Sequence, residues 1–212
     1  MPISLDWQYE TDGRIRSAPT VSDGTVYVGS DDHAIHAIDA TTGRLEWQYD
    51  THNVVRPAPT VIDGTVYAGS DDQKLYAIDA DTGTLEWTFG ADRRIYSSPV
   101  VVDDTVFLGS TDGYTYAIDA SDGTEQWAFE ARGRVRSSPT VLGDTVYVSA
   151  GDHRVYAVDR PETTPAPTAE TTSGGSNTKI FAPGSDYCPD CSENLTGYGD
   201  PSYCPECGTD LD

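Results

Sequence analysis

The chain has 212 residues, 37% of them hydrophobic, which is enough to bury a core and excludes a disordered tail protein. Its 35 Asp and Glu against 13 Lys and Arg give a formal net charge of −22. That balance opposes a nucleic-acid partner, whose phosphates are neutralised by Lys and Arg. No apolar run approaches the ~18 to 20 residues of a membrane span, and the first residues, Met1 to Asp6, lack the charged start and apolar stretch of a signal peptide.

In chain order, the first predicted element is a strand at Leu5 to Glu10 that carries Trp7. Then a unit begins to recur: Trp7, Trp47, Trp87 and Trp127 are spaced by 40 residues. One copy runs Ser-Ala-Pro-Thr-Val from Ser17, Asp23-Gly24, Thr-Val-Tyr-Val-Gly-Ser from Thr25, Ala-Ile-His-Ala-Ile-Asp from Ala34, and Gly43 to Trp47. Further copies begin at Pro57, Ser97 and Ser137. Each holds four short segments rich in Val, Ile, Tyr and Thr, bounded by Asp, Gly and Ser, with no competing helical period. Asp23-Gly24 and Asp63-Gly64 read as two-residue hairpin turns, with Asp103-Asp104 and Gly143-Asp144 as weaker forms.

Repeated four-stranded antiparallel units of this size are the signature of propeller blades. The fold class expected is therefore all-β, a propeller of four four-stranded blades over residues 1–160. The fourth copy breaks off at Arg160-Pro161 with three strands, so the Trp7 strand is expected to supply its missing outer strand and clasp the edge. Two arrangements satisfy this: a closed four-bladed ring, or two chains that each supply half of an eight-bladed ring as a homodimer. Residues 161–185 begin with a Thr-, Pro-, Ser- and Gly-rich run that offers no core and reads as a linker. Residues 186–212 form a separate small domain.

That domain reads Tyr187-Cys188-Pro-Asp-Cys191, eleven residues, then Tyr203-Cys204-Pro-Glu-Cys207-Gly208. Two Cys-Pro-x-Cys knuckles at this separation look like a zinc ribbon, with Cys188, Cys191, Cys204 and Cys207 as tetrahedral thiolate ligands of one structural zinc per chain. A segment this short cannot fold on an apolar core, whereas zinc contributes ~10 to 16 kcal/mol in comparable peptides. Ser192 stands where the ribbon pattern has its first Gly, without touching a ligand. Cysteines confined to such knuckles suit a reducing compartment, and the expected location is the cytoplasm, or the cell surface if the N-terminus is trimmed.

The string Ala37-Ile-Asp39-Ala-Thr-Thr42-Gly43-Arg-Leu-Glu-Trp47 recurs with Ala77, Asp79, Thr82, Gly83, Trp87 and with Ala117, Asp119, Asp122, Gly123, Trp127. It resembles the repeat of the pyrroloquinoline-quinone-like propellers, which include the BamB-like assembly proteins. The resemblance covers residues 1–160 and implies a propeller, usually of seven or eight blades. Quinone-dependent dehydrogenases of that family use calcium ligands, a catalytic Asp and adjacent cysteines. None of these maps onto this chain, so no quinone cofactor and no catalytic residue are expected. The abundance of Asp, 26 residues, and the two Lys also resemble proteins of halophilic archaea, where ~1 M salt shortens the screening length to ~3 Å and relieves self-repulsion.

Physically, the aspartate of the repeat can cap a turn, its glycine can take positive φ, and Trp7, Trp47, Trp87 and Trp127 can wedge between blades. Four histidines, His33, His36, His52 and His153, read as loop or packed residues. Eight of the 11 arginines fall in the connectors between blades. Arg14, Arg94 and Arg134 are repeat equivalents, as are Arg16, Arg56 and Arg136, so a basic ring is expected at the axial mouth of an acidic body. These arginines either hold an anionic ligand or acidic partner, or pair with Asp32, Asp72, Asp112 and Asp152. The function expected is a non-enzymatic protein-interaction scaffold with the ribbon for partner docking. The alternative is a propeller that senses an anion through its Arg ring, with a quinone-dependent oxidoreductase fragment third.

Overall fold

Short segments rich in Val, Ile, Tyr and Thr, bounded by Asp, Gly and Ser, favour strands over helices in each repeat. The computed structural model describes residues 3–160, and there these segments become four antiparallel sheets. The expected linker and zinc ribbon lie outside the described residues. Blade 1 comprises β1 (Thr20–Ser22), β2 (Thr25–Gly29), β3 (Ala34–Asp39) and β4 (Leu45–Asp50). Blade 2 comprises β5 (Thr60–Ile62), β6 (Thr65–Gly69), β7 (Lys74–Asp79) and β8 (Leu85–Gly90), and blade 3 comprises β9 (Val100–Val102), β10 (Thr105–Gly109), β11 (Tyr114–Asp119) and β12 (Glu125–Glu130). Blade 4 has β13 (Thr140–Leu142), β14 (Thr145–Ala150) and β15 (Arg154–Asp159). Every strand pairs with its sequence neighbour.

Local chemistry sets the register. Asp23-Gly24 and Asp63-Gly64 take φ of 47° and 86°, and 50° and 80°, the double left-handed turn that suits a twisted hairpin. Asp103 and Asp104 adopt it as well, with φ of 49° and 57°. In each complete blade the outer two strands slip by one residue after Ala37, Ala77 or Ala117, a bulge that bends the outer strand. The loop beyond closes on an aspartate: Asp79 accepts from the backbone N–H of Thr82 at 2.7 Å and from its hydroxyl at 2.6 Å.

The core lies between the blades. Tyr27, Ile35 and Ala37 of blade 1 face Val66, Tyr76 and Ile78 of blade 2, and the same contact recurs from blade 2 to 3 and from blade 3 to 4. A tryptophan pins each junction from the rim. Trp47 Nε1 donates to the Ala80 carbonyl at 2.8 Å and Trp87 Nε1 to that of Ala120 at 3.0 Å. The indoles lie so close to the elbow glycines that a Cβ on Gly83 or Gly123 would fall 2.8 or 2.5 Å from a ring carbon.

Residues 5–10 do not clasp the fourth blade within the chain. Among the described residues they join no sheet, and β15 keeps an unpaired outer edge. The segment is held instead on blade 1, where Trp7 Nε1 donates to the Ala40 carbonyl at 2.9 Å and the indole covers Gly43. Tyr9 meets His36 edge to face at 5.7 Å, as Phe89 meets Tyr116 and Phe129 meets Tyr156 in later junctions. It thus occupies the place of an outer strand belonging to a blade in front of blade 1. Two aromatic anchors and a hydrogen bond fix it there whether or not a strand pairs with it.

Candidate functional site at the axial face

The connectors that carry the arginines are fixed by their backbones. The carbonyls of Arg14, Val54, Arg94 and Arg134 accept from the N–H of Asp31, Asp71, Thr111 and Gly151, stitching each connector to the β2–β3 type turn of its own blade. Ile95 and Val135 beside them are fully buried, while the side chains of Arg14, Arg94 and Arg134 are left exposed.

Two residues further on, Arg16, Arg56, Tyr96 and Arg136 are equivalent. Arg16 Nε reaches both oxygens of Asp31, at 2.8 and 2.9 Å, and Arg56 Nε reaches Asp71 at 2.9 Å. The partner stands fifteen residues along, at Asp31, Asp71, Thr111 and Gly151 in turn. Blade 3 lacks both members of the pair. Blade 4 keeps Arg136 but has Gly151 where its carboxylate would be. The Arg16 guanidinium holds the Asp31 carboxyl below the usual carboxylate range.

The expected partners Asp32, Asp72, Asp112 and Asp152 do something else. Asp32, Asp72 and Asp112 cap their own turn by accepting from the N–H of Ala34, Lys74 and Tyr114. With Asp152, they also accept a side-chain hydrogen bond from β3, β7, β11 or β15: Tyr76 donates to Asp72 at 2.6 Å and Tyr116 to Asp112 at 3.0 Å. Burial, then the neighbouring carboxylate, pushes both phenols well up. In blade 1 the tyrosine is replaced by His36, fully buried, with Nε2 at 3.1 Å from Asp32 and Nδ1 at 3.0 Å from the Tyr9 hydroxyl. His36 therefore fills a structural position. His33 and His153 take the left-handed turn position, φ 76° and 68°, which Gly113 fills in blade 3. That glycine is the sequence signal for their role.

Among the described residues Arg94, Arg134 and Arg136 have no carboxylate within ion-pair distance. Together with Gln73, Asp92, Arg93, Tyr96 and Thr111 they line a cleft of about 480 Å³. Tyr96 organises it. Arg56 and Arg136 lie over its ring at 5.7 and 5.9 Å, and its hydroxyl accepts from Arg94 Nη1 at 3.2 Å. Such stacking orients a guanidinium without neutralising it. The axial arginines are thus unevenly paired: Arg16 and Arg56 are quenched, whereas Arg14 and, in blades 3 and 4, Arg94, Arg134 and Arg136 are open. The arrangement can hold an anionic group, with Arg94, Arg134 and Arg136 as donors. Among the described residues no cluster of three or more His, Cys, Asp or Glu could hold a metal, and no helix is long and apolar enough to cross a membrane. Cys188, Cys191, Cys204 and Cys207 lie outside the described residues.

A family model described as outer membrane protein assembly factor BamB matches residues 4–96 and 71–166. BamB from Moraxella catarrhalis is similar at a TM-score of 0.67 and 20% identity, over 74% of this chain and 53% of that one. The computationally designed Ika4 protein is similar at a TM-score of 0.69 and 21% identity, over 76% of this chain and 100% of that one. Quinohemoprotein alcohol dehydrogenase from Comamonas testosteroni is similar at 0.63 and 24% identity, over 69% and 31%. At these identities the likeness is one of fold. The chain spans about half the length of the BamB structure, and no curated protein matches it.

Proposed function

The chain belongs to the family of outer membrane protein assembly factor BamB, and we propose that it acts as a non-enzymatic protein-interaction scaffold whose axial face docks an acidic segment of a partner protein. The observation that carries this is the trio Arg94, Arg134 and Arg136, kept without carboxylate partners in a chain of net charge −22. Arg16 and Arg56 are paired and Arg14 stands apart on blade 1, so these three concentrate positive potential at one cleft. Guanidinium groups favour carboxylates through charge-assisted, bidentate bonds. The cleft is polar and open, which suits an extended acidic peptide better than an enclosed small molecule.

The tail supplies the second docking element. Cys188, Cys191, Cys204 and Cys207 carry the sulfur set of a closed structural zinc site, and the acidic residues around them, Asp190, Glu193 and Glu206 among them, direct this ribbon toward protein rather than nucleic acid. The Asp-rich surface supports work at high salt, in a reducing compartment.

Titration calorimetry of the full chain with poly-L-glutamate and with inorganic sulfate tests the reading. Poly-glutamate should bind, and the triple change Arg94→Ala, Arg134→Ala, Arg136→Ala should raise its Kd at least ~10-fold through three lost charge-assisted contacts. Tight sulfate binding lost in the same variant would favour a small-anion sensor instead. Poly-glutamate binding that survives the triple change would reject the axial face as the docking site.

A further inference from the structure

The junction made three times along the chain leaves one unmatched half at each end. On the leading side, Val55, Ile95 and Val135 are buried against Gly29, Gly69 and Gly109 of the blade before, so closely that a Cβ there would fall within 2.4 Å of them. Their equivalent in blade 1, Ile15, is 43% exposed. Val61, Val101 and Val141 pack into the junction cores, whereas the equivalent Val21 is 64% exposed. On the trailing side, Tyr27, Tyr67 and Phe107 are buried, whereas Tyr147 is 38% exposed. Val155, the counterpart of the fully buried Ile35 and Leu75, is 74% exposed, and Leu142 72%.

The edges match residue by residue as well. In blade 3, Tyr114, Thr115, Tyr116 and Ala117 of β11 oppose Glu130, Phe129, Ala128 and Trp127 of β12. The same register sets Arg154, Val155, Tyr156 and Ala157 of β15 opposite Glu10, Tyr9, Gln8 and Trp7. That pairing brings Arg154 to Glu10, an opposite-charge cross-strand pair, and completes the fourth sheet. Among the described residues the segment is already seated on blade 1, and the outer edge of β15 is unpaired.

We propose that these two end faces join two copies of this chain, trailing face to leading face, so that each copy's residues 5–10 complete the other's last blade and the eight blades close into one ring. A two-fold arrangement makes both joins at once and leaves no free edge. One position departs from the internal junctions: Ser149 stands where the other blades carry Gly29, Gly69 and Gly109, so the seat for Ile15 is shallower. The join between copies is accordingly weaker than the joins within one, and Ser149→Gly should tighten it. The inference is independent of the arginine cleft.

Sedimentation equilibrium of the reduced full chain at ~1 M salt, where charge repulsion is screened, is the test. The expected mass is twice that of the 22.8 kDa chain. Val155→Asp puts a charge at a position that is 74% exposed in the single chain and whose counterparts Ile35, Leu75 and Thr115 are fully buried in the internal junctions. It should raise the dimer dissociation constant at least ~100-fold, two joins each losing a buried valine, with the far-UV spectrum unchanged. Val21→Asp should act alike from the opposite face and decides the matter if Val155→Asp does not fold. A wild-type mass of one chain, an open series of larger species, or a dimer indifferent to both folded variants would overturn the proposal.

Discussion

Replacing Gly123 by Ala separates two costs that the repeat imposes on one residue. Gly123 sits at φ 77°, in the left-handed region, where a Cβ costs about 1–2 kcal/mol. That Cβ would also lie 2.5 Å from Cε3 and 2.8 Å from Cδ2 of Trp87, so the indole or the blade junction must shift, at about 1–3 kcal/mol. Gly123→Ala should therefore cost about 3 kcal/mol. Trp87→Ala loses the bond to the Ala120 carbonyl and the Tyr67 contact at 5.8 Å. The indole is half-buried rather than enclosed, which places the loss near 3 kcal/mol, at the low end for a tryptophan truncation. In the Trp87→Ala background the clash is gone, and Gly123→Ala should cost only its backbone share of about 1–2 kcal/mol. Thermal unfolding of the four proteins measures the cycle, at roughly 2–4 °C per kcal/mol for a domain of this size. An equal cost of Gly123→Ala in both backgrounds would refute the wedge.

The remaining expectations are briefer. His36→Tyr installs the residue that the other blades use and lets it donate directly to Asp32, so melting should be unchanged or raised; a fall of more than about 5 °C would show that the Tyr9 contact outweighs it. The carboxyls of Asp39, Asp79 and Asp119 are held below their usual range chiefly by the hydroxyls of Thr42, Thr82 and Ser121. Depressed folded values stabilise the fold above the unfolded pKa of ~3.9, and that contribution is lost as pH falls through the folded value. Thr82→Ala should raise the Asp79 titration midpoint seen by NMR, and an unmoved midpoint would contradict the assignment. The freshly reduced full chain should carry one zinc, released by chelator without altering the melting of residues 1–160; absence of metal would dismiss the ribbon.

Partner positions in the axial ring were harder to read from the sequence than the ring itself. Arginines at one repeat position announce a ring, but the nearest conspicuous acids, Asp32, Asp72, Asp112 and Asp152, are occupied by Tyr and His from the next strand. The residues that do pair, Asp31 and Asp71, were signalled by their absence from blades 3 and 4, where Thr111 and Gly151 stand. Tyr96 reads in sequence as one missing arginine. Only its position between Arg56 and Arg136 shows that it orients the ring.

What the amino-acid order alone determined is everything carried by short-range rules. Short runs of Val, Ile, Tyr and Thr make strands, Asp-Gly makes left-handed turns, and a 40-residue recurrence makes equivalent blades that pack in series. Where the ends of that series meet is a long-range question, because strand pairing depends on which edges are brought within reach and not on their local sequence. The tertiary structure alone decided that Trp7 and Tyr9 rest on blade 1 with no strand beside them, and that Val155 and Leu142 stay exposed. It also decided which cations are quenched, since an arginine and its carboxylate lie fifteen residues apart in the chain and meet only when the connector folds back over its own blade.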